Sequence, residues 1–176
     1  MATAPRRSRT ASDDPPTRRA DAKHVVIQEL SRGESEALLT KHHVGRLGIS
    51  FHDRVRVELA NYVYHEGWIY ARTEHGSDLA SMQHHPWAAF EVDEIDGMYD
   101  WRTVEVSGSI ELIAKGSAFT RSSIFETAVQ LMRAVVPAVL TSDDPIPERV
   151  QILRIHVDEI RGRDARSGTA VESAGA

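Results

Sequence analysis

The sequence predicts a mainly β protein with flanking helices, in which short antiparallel strands close into a barrel. Residues 54–64 alternate between apolar and polar side chains, which is typical of a strand with one buried and one solvated face. A tight connection at residues 65–67 joins this run to a second β-rich run at residues 68–73, which indicates a hairpin. Two more such runs occupy residues 87–92 and 103–113. Closure into a barrel is the simplest way to hide the edges of several short strands.

The first two strands of this series lie at residues 44–50 and 54–64. In the second strand, Val55, Val57 and Leu59 form the apolar side. A strict period of two predicts that this side is buried and that the side of the charged residues is solvated. A glycine inside the long strand that ends near Ile113, Gly108, indicates a bulge or a close approach of another backbone segment.

Length and composition favour one globular domain with tails. The chain has 176 residues, 41% of them hydrophobic and 27% charged, as in ordinary globular proteins. We expect a disordered N-terminal tail at residues 1–23, the barrel domain at residues 24–163 and a flexible C-terminal tail at residues 164–176.

Several function classes are disfavoured by the same composition. A net charge of −5 argues against a nucleic-acid partner, which would require a basic face. No apolar run is long enough to span a membrane, and no signal-peptide pattern is present. The absence of cysteine removes disulfides and thiolate chemistry and fits a reducing compartment. We therefore expect a cytoplasmic protein.

Two helices and several connections follow from local signals. Ser31-Arg-Gly-Glu34 has the spacing of a capping box and opens a helix that runs to about Thr40, with Ala37 and Leu38 facing the core. Residues 117–135 have the apolar spacing of an amphipathic helix. The acidic run at residues 93–100 is expected to be a solvated loop, and residues 141–147 are expected to form another loop.

The segment from Glu74 to Asp78 has the chemistry of an anion site. It lies between a predicted strand and a predicted helix at residues 79–84, for which Ser77 is a plausible N-cap. Amide groups at a helix N-terminus attract anions, and Arg72 could add a charged hydrogen bond. An ordinary strand-to-helix connection without a ligand explains the same pattern, and the spacing does not decide between the two.

A metal site is not expected. The nine histidines include the adjacent pairs His42-His43 and His84-His85, but adjacent side chains point in different directions on a regular backbone. No spacing typical of zinc ligands is present.

An ordered set of short motifs between residues 30 and 163 resembles the pyridoxamine 5′-phosphate oxidase-like family. The motifs are Ser-x-x-Glu at 31–34, Val44-Gly-Arg-Leu47, Asn61-Tyr62, Ile69-Tyr70, Gly76-Ser-x-Leu79, Phe90-Glu-Val-Asp93, Trp101-x-Thr-Val104, Gly108 and Leu153-Arg-Ile-x-Val-Asp-Glu-Ile-x-Gly162. Within the family, the chain most resembles the branch that includes nitroimidazole-resistance-type proteins.

This resemblance implies a split β-barrel of the FMN-binding type. It also implies a homodimer with one FMN in each of two clefts at the subunit interface, acting as a flavin-dependent oxidoreductase on a small-molecule substrate. Carried over by position, the residues that would line the isoalloxazine are Val57, Glu58, Leu59 and Asn61. The residues that would hold the phosphate are Arg72, Thr73, His75, Gly76 and Ser77. Trp101 and Thr103 would complete the cleft.

Two departures from the family pattern keep other functions open. Leu59 stands where the family often has proline, and Asp78 stands where it usually has a lysine facing the phosphate. A flavin-free split barrel that binds another ligand or a partner protein is one alternative, and a deazaflavin-dependent reductase is another. The catalytic residue stays unknown. Tyr62 and His75 are candidate acids, although a structural or cofactor-facing role is the simpler interpretation of each.

Overall fold

The computed structural model describes residues 23–51, 54–74, 85–113 and 119–169. Eight strands and two helices occupy these ranges. The elements are β1 (Lys23–Leu30), α1 (Arg32–Lys41), β2 (Val44–Phe51), β3 (Arg54–His65), β4 (Trp68–Thr73), β5 (Trp87–Gly97), β6 (Asp100–Ile113), α2 (Phe119–Val135), β7 (Gln151–His156) and β8 (Glu159–Thr169). Neither described helix has the length and apolar content needed to cross a bilayer.

The strands form one antiparallel sheet in the order β1-β8-β6-β5-β2-β3-β4-β7. An additional pairing between β6 and β7 closes six of these strands into a ring. The pair β1 and β8 extends the sheet outside the ring, along the first half of β6. The predicted mainly β barrel with flanking helices is therefore confirmed.

β6 can serve both parts of the sheet because it is long and has a glycine near its middle. Residues 101–107 pair with β8, and residues 110–113 pair with β7. Between them, a Cβ atom added to Gly108 would lie 1.7 Å from the carbonyl oxygen of His156. Only glycine tolerates this approach, so the predicted close contact of backbones at Gly108 is confirmed.

α1 closes one end of the barrel, and its start follows the predicted capping box. The Ser31 hydroxyl accepts a hydrogen bond from the Glu34 amide, and the Glu34 carboxylate accepts one from the Ser31 amide. Leu38 and Leu39 are buried, whereas Ala37 is exposed. The expectation for Ala37 was wrong because the helical repeat turns its side chain away from that face.

The apolar side of β3 does not face the barrel interior. Val55, Val57 and Leu59 are 78%, 62% and 60% exposed, so the expectation that this side is buried is wrong for the single chain. The register explains the result, since the buried Leu47 of β2 lies opposite Glu58 and directly paired residues share a face. The core-facing side of β3 is thus the side of Glu58.

Two predicted boundaries differ from the structure. The acidic run at residues 93–100 is not a loop, because β5 continues to Gly97, a two-residue turn follows and β6 begins at Asp100. β8 continues to Thr169, beyond residue 163, where the barrel domain was expected to end. The extension is strand because residues 162–169 pair with all of β1. Residues 1–22 and 170–176, which make up most of the two predicted tails, lie outside the described residues.

Candidate functional site

The outer face of β3 carries most of the residues that the resemblance assigns to a ring system. Val57, Leu59 and Asn61 occupy alternate positions of β3 and are exposed, so their side chains share one face of the strand. Gly48 of β2 lies opposite Val57 and has no side chain to cover it. Val55, Val57 and Leu59 share this face, and we call these three side chains the apolar strip. The Asn61 carboxamide lies at its end. Glu58 lies on the opposite side of the strand and is not part of this surface.

Trp101 and Thr103 are not brought to this strip within one chain. Both belong to β6, and β5 and β2 lie between β6 and β3 in the sheet. Three strand spacings correspond to about 14 Å. The Thr103 hydroxyl instead lies within hydrogen-bonding distance of two acceptors, the Glu91 carboxylate and the Val92 carbonyl, between which its single proton is shared. Within one chain, Trp101 and Thr103 therefore lie apart from the strip.

Arg72 is buried at the end of β4 and turns towards the loop between α2 and β7. Its Nη1 and Nη2 atoms donate to the two carboxylate oxygens of Asp144, over 3.2 and 2.7 Å. Nε and Nη2 also donate to the carbonyl oxygens of Arg149 and Ile146. Four of the five N–H groups of Arg72 are thus used inside the chain, and its charge is balanced by a carboxylate.

Asp144 is the matching half of this buried pair. Its side chain is 2% exposed, and burial alone would raise the pKa of its carboxyl group. The hydrogen bonds from Arg72 and from the Ile146 and Leu140 amides outweigh that effect and lower the pKa to about 2. The pair therefore fastens the α2–β7 loop to the end of β4, as a buried ion pair with full hydrogen bonding can do.

The remaining predicted phosphate residues are only partly described. Thr73 ends β4, is half-buried and lies opposite Gln151 of β7. His75, Gly76 and Ser77 lie outside the described residues, as does the predicted helix at residues 79–84. The predicted anion site at this turn stays a prediction.

Tyr62 has a structural role in this chain. Its side chain is buried, and its hydroxyl group donates a hydrogen bond to the Leu39 carbonyl over 2.7 Å. Burial raises the pKa of the Tyr62 hydroxyl well above its ordinary value. The geometry therefore ties Tyr62 to α1 and keeps its proton on the oxygen, which disfavours it as an acid. His75, the other candidate, is not described.

Sequence reasoning missed two residues that contact predicted site residues. Asp144 lies 72 positions from its partner Arg72, and no local pattern predicts a pair at that separation. Arg149 precedes β7, and its Nη1 atom donates to the Asn61 carboxamide oxygen over 3.3 Å. The run Asp-Asp-Pro-Ile-Pro at residues 143–147 predicts a loop and nothing about which side chains it brings together.

Comparison with known proteins points to one family. A sequence model of the pyridoxamine 5′-phosphate oxidase family matches residues 31–164. Curated protein sequences give no match.

Solved structures share the fold. A FAD-binding protein from Mesorhizobium loti is 22% identical, with a TM-score of 0.64 over 82% of this chain and 100% of that one. A FAD-binding protein from Mycobacterium smegmatis is 19% identical, with a TM-score of 0.53 over 80% and 100%. A proposed 5-nitroimidazole antibiotic resistance protein from Bacteroides thetaiotaomicron is 14% identical, with a TM-score of 0.59 over 81% and 89%.

Proposed function

Because the chain belongs to the pyridoxamine 5′-phosphate oxidase family, we propose that it is a flavin-dependent oxidoreductase that holds FMN against the outer face of β3. The observation that carries this proposal is the apolar strip of β3. It lies where the resemblance expects a flavin ring, and it is uncovered in the single chain. The names of the Mesorhizobium loti and Mycobacterium smegmatis proteins support a flavin, because both are called FAD-binding.

The strip fits the ring part of a flavin. Val57 and Leu59 present two aliphatic side chains on one face of a strand, which suits the flat face of a fused ring. Burial of such side chains contributes about 1.5–3 kcal/mol each. Asn61 adds a carboxamide that can donate and accept hydrogen bonds at the polar edge of a ring.

The phosphate part of FMN is not matched by Arg72. The guanidinium group of Arg72 is paired with Asp144 and directed into the α2–β7 loop. A dianion near this pair would therefore meet little net charge from it. A cation that binds the phosphate therefore has to come from another residue. Because riboflavin lacks the phosphate, the affinity for FMN relative to riboflavin measures how much the chain gains from binding that group.

We also propose that two chains form the complete site. Val44 and Trp87, which belong to β2 and β5, are 54% and 66% exposed, so the uncovered apolar surface extends beyond β3. Burial of such a surface against a second copy is favourable, and a two-fold axis would produce two equivalent clefts. In that arrangement, Trp101 and Thr103 of the partner can reach the strip.

The flavin and the chain have separate roles in the proposed reaction. The flavin supplies the capacity to accept and release a hydride or electrons. The chain supplies the surface that orients the ring, excludes water from one of its faces and leaves the other face open to a small-molecule substrate.

A flavin-free split barrel is the second candidate, and the Arg72–Asp144 pair favours it. With Arg72 neutralised and Asp78 in place of the family's usual lysine, the chain lacks two cations that a phosphate would use. A variant Asp78→Lys separates the two candidates. If it gains FMN binding that the parent chain lacks, the parent is a flavin-free member of the family.

The test of the main proposal is direct. The visible absorption spectrum of the purified protein is recorded, and any cofactor is released by denaturation and identified by chromatography against FMN, FAD and a deazaflavin. We expect a flavin spectrum and released FMN. A protein that is colourless and does not bind added flavin contradicts the proposal. Light scattering should give about 39 kDa, twice the chain mass of 19.6 kDa, and a monomer mass contradicts the two-chain site.

A further inference from the structure

A hollow of about 170 Å³ lies beside Asn61, between β3, the C-terminal end of α2 and the α2–β7 loop. Most of its wall is aliphatic. The apolar side chains include Val63, Met132, Val135, Val136, Val139 and Ile146. The apolar strip of β3 ends at Leu59, two residues before Asn61, so the hollow begins about 7 Å further along the strand.

The charges around the hollow are unbalanced in favour of an anion. No carboxylate of the described residues lines it. Arg72 lines it but is neutralised by Asp144. Arg149 also lines it, and the one side-chain contact described for its guanidinium group is the Asn61 carboxamide. Arg149 is half-buried and has no counter-ion among the described residues. A guanidinium group in that state gains more from a charged acceptor than from a neutral one.

The size of the hollow limits what can enter it. A protein cavity of roughly 150 Å³ with aliphatic walls holds one benzene molecule. A body of about one aromatic ring therefore fits, whereas the three fused rings of an isoalloxazine do not. One positive charge and a mainly aliphatic wall suit a monoanion with an apolar body better than a strongly hydrated dianion.

We propose that this hollow binds a small organic carboxylate whose apolar body is about one ring in size, with its carboxylate on Arg149. Asn61 joins the hollow to the apolar strip, so a carboxylate held there lies next to the proposed flavin ring. The assignment of this carboxylate as the substrate of that site rests on the proposed function. The binding of a carboxylate in the hollow does not.

The experiment compares benzoate with benzamide, which have the same ring but differ in charge. Dissociation constants are measured by calorimetry or by ligand-detected NMR on the wild-type chain. We expect benzoate to bind roughly ten-fold or more tightly than benzamide, because a charged hydrogen bond to Arg149 is available to benzoate alone. Equal affinities for the two compounds, or no binding of benzoate, overturn the proposal without any variant.

Variants then locate the site. Arg149→Gln should remove the preference for benzoate, and Arg149→Lys should restore part of it. The matched control is Arg161→Gln, which changes an exposed arginine on β8 and should leave both affinities unchanged. Loss of the preference in the control, or its retention in Arg149→Gln, contradicts the assignment to Arg149.

FMN distinguishes a failure of this inference from a failure of the proposed function. If FMN and benzoate bind together, the hollow is separate from the flavin surface, as we expect. If FMN displaces benzoate competitively, the hollow belongs to the cofactor site and the inference falls. If benzoate binds as expected and FMN does not bind, the proposed function falls and the carboxylate site remains.

Discussion

Replacement of Asp144 by asparagine is expected to destabilise the fold strongly, although it changes one atom of the side chain. In the wild type, the Asp144 carboxylate receives two hydrogen bonds from Arg72 and one each from the Leu140 and Ile146 amides. Asp144→Asn keeps the shape but leaves the Arg72 charge, whose side chain is 7% exposed, without a counter-ion. Removal of one partner of a buried pair costs about 3–5 kcal/mol.

Urea unfolding followed by far-ultraviolet circular dichroism measures this cost. With a slope of about 2 kcal/mol per molar, the midpoint should fall by about 1.5–2.5 M. Protein concentration must be held constant, because association would add to the apparent stability. The double variant Arg72→Met/Asp144→Asn should be more stable than Asp144→Asn alone, since it no longer buries an uncompensated charge.

An exposed ion pair of the same type provides the control. The Nη2 atom of Arg161 lies 3.3 Å from the Oε2 atom of Glu159, and the two side chains are 69% and 66% exposed. Glu159→Gln should therefore change the free energy of unfolding by less than about 1 kcal/mol. If Asp144→Asn costs no more than this control, the pair does not fasten the α2–β7 loop, and the account of Arg72 is refuted.

Three further predictions concern the fold and its association. Gly108→Ala should lower the stability by about 1–3 kcal/mol in thermal melts, because its Cβ would lie 1.7 Å from a β7 carbonyl oxygen. Gly48→Ala, whose Cβ would have no neighbour nearer than 3.6 Å, should be close to neutral, and equal losses would contradict the argument. The low pKa values of Asp144 and Glu94, both about 2, mean that these groups contribute stability above the unfolded-state pKa near 4, which is lost as the pH falls towards 2; an unfolding free energy that does not change over this range would be inconsistent with the pairing. Val44→Asp, which changes an exposed residue of β2, should fold normally but convert the proposed dimer to a monomer in light scattering, and a dimer that persists would exclude the surface around Val44 as the interface.

The elements that local chemistry determines could be predicted from the sequence. The capping box at Ser31 and Glu34 marks the start of α1, and the structure contains both of its hydrogen bonds. Gly108 in the middle of a strand indicated a close approach, which the structure shows against His156. Such signals depend on a few adjacent residues, so one sequence is enough to find them.

Features that depend on distant partners could not be predicted. The acidic residues after Val92 suggested a loop because Asp and Glu are uncommon in strands. In the structure, Arg46 pairs with Asp93, and Lys41 pairs with Glu94. These partners lie on other elements and make strand formation possible for β5. The same limit applies to β8, whose last residues are strand because β1 lies beside them.

In the candidate site too, local features could be predicted and contacts between distant residues could not. The resemblance implied a ring-lining set of Val57, Glu58, Leu59 and Asn61. Three of these residues share one face of β3, whereas Glu58 lies on the opposite side. The face of β3 that points to the core was predicted wrongly, since alternation alone does not say which side is buried. No local sequence pattern indicated that Asp144 pairs with Arg72. Without that partner, the charge of Arg72 was expected to be available to a phosphate group.

The proposed flavin site is tested most directly by a fluorescence titration of the apoprotein with FMN. The account predicts saturable quenching with an equivalence point at one FMN per chain, and a much weaker response in Leu59→Asp, whose charge would lie under the ring. A titration without saturation, or an affinity that Leu59→Asp leaves unchanged, would show that the outer face of β3 does not hold a flavin.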